Sequence, residues 1–171
     1  MIITAIVIQA KPILEHDLLV ELFSIEWGKV RAFAKYAQSK KPRFGGIFNT
    51  LNVVEASISM RGSAMHIQTA RLINGFHQLK QSYQRMNVAY TFLKVIQSTA
   101  QAQQESMALF KVLIQSLTSL ELGADDIHAI KHSFYQSLLV CEGVCDDGIH
   151  SEKNCVSMLE SYANIRIKDT T

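Results

Sequence analysis

The feature that most constrains this chain is a change of hydrophobic period near Gly75. Before it, apolar residues fall in short β-branched runs separated by turn signals; after it, they recur three and four positions apart. Side chains alternate between the faces of a strand and repeat every 3.6 residues around a helix. The order is therefore strands first, helices second, an α+β chain of two modules with the division at residues 1–75 and 76–171.

Five strands are predicted in the first module. Ile2–Ala10 is β-branched and ends at Lys11-Pro12, and Asp17–Ser24 alternates through Leu18, Val20 and Leu22 to a turn at Glu26-Trp27-Gly28. The third strand runs from Lys29 to about Ala37. Leu51–Met60 and Ala64–Ile73 form a hairpin around Arg61-Gly62-Ser63, and Gln38–Asn49 is read as a mobile basic loop holding Phe44 and Phe48. Five strands whose first three form a meander fit a small closed β-barrel of the OB type. The second module reads as helices. Met86, Ala89, Tyr90, Leu93 and Ile96 mark the first; Met107, Phe110, Leu113, Ile114 and Leu117 mark a second over Glu105–Leu120. A break at Gly123-Ala124-Asp125-Asp126, with Asp125 as N-cap, precedes a third through Ile127, Ile130, Phe134, Leu138 and Leu139. Ser151 opens a short fourth helix to Tyr162.

Charge is unevenly divided. Net charge is only +2, yet residues 1–86 hold eleven basic and five acidic residues, while the remainder holds six and ten. The surplus concentrates at Lys29, Arg31, Lys35, Lys40, Lys41 and Arg43, a stretch without an acidic residue. Strand alternation puts Lys29, Arg31, Phe33 and Lys35 on one face, with Val30, Ala32 and Ala34 behind them. Cations neutralise phosphates and an aromatic ring stacks a base, so this face is suited to a nucleic-acid strand. Lys29, Arg31 and Lys35 would contact phosphates from the sheet and Lys40, Lys41 and Arg43 from the loop, with Phe33 as the stacking residue. Phe48 is expected in the barrel core.

Other classes are disfavoured. No uninterrupted apolar segment is long enough to span a bilayer, and Met1–Ile8 lacks the basic lead-in of a leader, so a cytoplasmic protein is expected. Cys141, Cys145, His150 and Cys155 depart from standard zinc-knuckle spacing, and Cys141 falls on the apolar side of the third helix; no metal or cofactor is expected. His128 and His132 are four apart but lack the glutamate of a metalloprotease helix. With no GxxxxGK, GxSxG or GxGxxG, no enzymatic activity is expected.

The first module resembles the bacterial recombination-mediator family RecO. The resemblance runs through Val7-Ile8-Gln9-Ala10-Lys11-Pro12, Asp17–Ser24, Gly28-Lys29-Val30-Arg31-Ala32-Phe33-Ala34-Lys35, Ser39-Lys40-Lys41, Gly46–Leu51 and Thr69-Ala70. It implies an OB-fold domain followed by a helical domain, binding of single- and double-stranded DNA, and annealing of complementary strands. It also implies the partners SSB and RecR, with loading of RecA onto SSB-coated strands as the outcome. The chain departs from the family pattern at Tyr36, where the family has glycine, and at Gln38, where it has a basic residue. It lacks the four-cysteine zinc site of many members, and its early end implies missing final helices. Two other readings remain open: a protein-interaction adaptor whose barrel only presents the helical surface, and an RNA-binding OB-fold protein.

Overall fold

The computed structural model describes residues 1–41, 43–102, 104–123, 126–146, 148 and 150–167. They divide into two units. One comprises Met1–Gly75 with Gln101–Met107; the other comprises Phe76–Ala100 and the chain from Ala108 onward.

The first unit is a closed five-stranded barrel, as the strand count predicts. Its strands are β1 (Ile2–Ile13), β2 (Asp17–Ser24), β3 (Gly28–Ala34), β4 (Val53–Arg61) and β5 (Ala64–Asn74), joined in the order β1-β2-β3-β5-β4. β1 pairs with β4 through Ile2–Ile6 and with β2 through Ala5–Ile13, and a bulge between Val7 and Gln9 lets one strand serve both neighbours. It runs past the expected stop at Lys11-Pro12. Proline is tolerated there because that end of β1 pairs with β2 alone. Closure comes from a short parallel contact, Ala32 opposite Met65 and Phe33 opposite His66.

Inward residues explain the narrow bore. Ala5, Ala32, Ala34 and Ala56 alternate with Ile3, Val7, Val20, Leu22, Val30, Val54, Ile58 and Ile67, and small residues let a five-stranded barrel fill without voids. Phe44 and Phe48 cap this core, their rings tilted with centroids 5.1 Å apart. Gln101, Ala102 and Ser106, which the sequence groups with the helices, lie instead against the turn before β3 and its first residues. The Lys29 N–H donates to the Gln101 carbonyl at 3.1 Å, and the Ser106 N–H donates to that of Ile25 at 2.9 Å.

The second unit contains a 3₁₀ turn (Leu79–Gln81) and helices α1 (Tyr83–Thr99), α2 (Met107–Leu122), α3 (Ile127–Cys141) and α4 (Glu152–Ala163). Ser82 caps α1 and Ser151 caps α4, each accepting a backbone N–H with its hydroxyl. The Glu121 carboxylate does the same for the N–H groups of Gln78 and Leu79. Asp125, the expected cap of the third helix, lies outside the described residues; Asp126 occupies the cap position of α3 without a side-chain hydrogen bond. Phe92 stacks on Phe134 at 3.9 Å and meets Tyr135 edge-on, forming the aromatic centre of this core. No helix among the described residues is long and apolar enough to cross a membrane.

Candidate nucleic-acid interface

β3 carries the expected alternation. Val30, Ala32 and Ala34 are buried, Arg31 is exposed, and Lys29 and Phe33 are half-buried on the outer face. The strand stops at Ala34, three residues before its expected end, so Lys35 sits just beyond the sheet and not in its register. The cause is Tyr36, whose φ of +60° takes the backbone into the left-handed region and breaks the pleat. Lys35 remains exposed there.

Arg31 is compensated, contrary to the expectation of a ribbon without counter-charge. Arg31 Nε lies 3.7 Å from Glu21 Oε2, and these residues face each other across β3 and β2. Glu21 is almost fully buried and also accepts a hydrogen bond from Gln9 Nε2 at 2.7 Å. A buried carboxylate needs a counter-ion, so Arg31 has a structural duty beside any phosphate contact. The stretch 29–43 holds no acid, but the neighbouring strand supplies one.

The segment after β3 is tethered, where the sequence suggests mobility. The Tyr36 N–H donates to Asp17 Oδ1 at 2.9 Å, the Gln38 N–H to the His16 carbonyl at 3.0 Å, and the Arg43 N–H to the Tyr36 carbonyl at 3.2 Å. Arg43 then donates from Nη2 to the Gln68 carbonyl on β5 at 2.6 Å, with its guanidinium 5.3 Å above the Phe44 ring. Arg43 is thus a latch between loop and sheet. Lys35, Lys40 and Lys41 are exposed and form no ion pair among the described residues.

A ring that sequence reading missed lies beside Phe33. His66 of β5 stacks on it, with centroids 5.3 Å apart and planes inclined by 28°. Alternation along β5 could have placed His66 outward, but no local signal gives the parallel register that sets it against Phe33.

Among the described residues, no group of three or more His, Cys, Asp or Glu side chains comes together as a metal site would require. Cys141 is exposed at the end of α3, not on its apolar side, and Cys155 is the buried cysteine. Burial pushes the Cys155 thiol up, away from the thiolate form that ligates metals. His132 Nε2 lies 2.6 Å from the His150 carbonyl, and His128 faces Glu152 at 3.9 Å.

Residues 1–76, the whole barrel apart from the returning strap, match the family model described as recombination protein O N terminal. The chain is 28% identical over 152 residues to the DNA repair protein RecO of Clostridium novyi (strain NT), an alignment covering 89% of the chain and 58% of that protein. It is 27% identical over 123 residues to the DNA repair protein RecO of Anaeromyxobacter sp. (strain K), covering 71% and 48% respectively. The chain is similar to the RecO family, through its first 76 residues in the family model and further along the chain in these relatives. It spans about half the length of these relatives.

The departure from the RecO pattern at Tyr36 now has a physical consequence. A glycine would enter the left-handed region freely, whereas tyrosine is strained there by about 1–2 kcal/mol. The Tyr36 side chain is 59% exposed, so little packing offsets the strain. Tyr36→Gly is therefore expected to raise stability by up to about 1 kcal/mol, after the extra entropy of unfolded glycine is subtracted. A lower denaturant midpoint in urea unfolding would contradict this.

Proposed function

We propose that this chain binds single- and double-stranded DNA through the outer face of its barrel and promotes annealing of complementary strands in DNA repair and recombination. The observation that carries the reading is that Lys35, Lys40 and Lys41, which follow β3 in the chain, are exposed and form no ion pair among the described residues. Lys29 and Arg43 extend it, and Arg31 adds to it while balancing Glu21. Phe33 offers a ring to a base. Phosphate contacts hold a strand without reading its sequence. Two single strands repel through their phosphates, and a protein that lowers that charge lets complementary strands meet.

Similarity to the RecO family supports the wider assignment. The relatives are named DNA repair proteins, and the proposed setting is the bacterial cytoplasm, with RecA loaded onto SSB-coated strands. SSB and RecR are the proposed partners, with the helical unit as the contact surface for SSB. No catalytic step is assigned.

Annealing gives the direct test. At about 50 mM salt the chain should accelerate pairing of two complementary oligonucleotides, and the acceleration should fade towards about 200 mM as counterions regain the phosphates. Strands that are bound but pair no faster than free ones would overturn the annealing role.

A further inference from the structure

We propose that His66 is a second base-binding residue, forming with Phe33 a two-ring subsite that accepts an unpaired base and favours single strands over duplex. This rests on the DNA-binding reading above and adds to it a residue and a preference. The two rings stand on adjacent strands at the barrel's closing seam, where Phe33 is directly opposite His66. Neither is needed to fill the core, since Ala32, Ala34 and Ile67 already point inward, with Met65 packed against them. Both rings are instead half-buried on the outer face.

Their surroundings match a strand's chemistry. Arg31 precedes Phe33 by two residues on β3, and Lys35 lies just past the strand's end. On the other side, Arg43 is latched to the carbonyl of Gln68, two residues beyond His66 on β5. Cations therefore flank the rings on both strands, so a backbone crossing the seam meets charge before and after the aromatic pair. His66 Nδ1 is buried without a hydrogen-bond partner among the described residues. A purely structural position would favour a hydrocarbon ring, which has no nitrogen to leave unsatisfied. Functional positions are where such local costs are retained. Stacking requires an exposed base face, which a single strand presents and an intact duplex does not.

The experiment uses the full chain and two probes of equal length: an oligo-dT of about 12 nucleotides and an abasic deoxyribose-phosphate strand. His66→Ala should weaken dT binding about tenfold or more while leaving abasic binding and its salt slope unchanged. His66→Phe, which restores a ring, should bind dT like the parent chain. Unchanged dT binding by His66→Ala overturns the proposal, as does equal loss on both probes, the mark of a structural role. If the parent chain binds neither probe, the DNA-binding reading itself fails.

Discussion

Replacing Lys35, Lys40 and Lys41 together by alanine should reduce the salt slope of single-strand binding by about two units. Each phosphate neutralised on a single strand contributes about 0.7 to the slope of log affinity against log salt, and three cations are removed. At about 50 mM salt the same change should weaken binding about a hundredfold or more. These three are chosen because they are exposed and unpaired among the described residues, so their loss strands no buried partner. Arg31 would be a poorer choice, because its removal takes a counter-ion from Glu21 and confounds binding with stability. Neutralising all six cations would flatten the slope by up to about four units. A triple variant with the parent slope would move the interface elsewhere, and the adaptor reading would gain.

The second large effect is expected at Gly28, through packing and not charge. Its φ is +56°, and a Cβ there would meet the Gln101 carbonyl oxygen at 2.3 Å and that of Gln104 at 2.7 Å. Both obstacles are backbone atoms of the strap that bridges to Gly28 and Lys29 through Ala102. Gly28→Ala thus combines left-handed strain of about 1–2 kcal/mol with an overlap costing about 1–3 kcal/mol. The expected loss is about 2–5 kcal/mol, or roughly 4–20 °C in the melting temperature of the chain. Gly62→Ala is the control. Its φ is +60° but nothing lies within 4 Å of the added carbon, so it should show the strain alone. Equal losses at the two positions would mean that the strap yields and does not clamp β3.

Much of the barrel was legible because its signals are local. Asp17–Ser24 matches its apolar run, and Ala64–Asn74 follows from alternation and the Arg61-Gly62-Ser63 turn. What escaped depends on contacts distant in sequence. Glu21 meets Arg31 only through the β2–β3 register, and His66 meets Phe33 only through a parallel pairing of two residues. The latch of Arg43 on Gln68 spans 25 residues and turns an expected mobile loop into a tethered one. Tyr36 misled differently: a strand pattern continues through it on paper, while its backbone has already turned into the left-handed region. The cations were therefore readable one by one, but not which of them already had a partner.

Lysine acetylation footprinting of the full chain, with and without single-stranded DNA, reports which face the DNA covers. DNA should protect Lys35, Lys40 and Lys41 from reagent, while Lys111 on α2 and Lys153 on α4, both also exposed, react at unchanged rates. Protection at Lys111 and Lys153, with Lys35, Lys40 and Lys41 reacting as freely as in the DNA-free protein, would contradict the account.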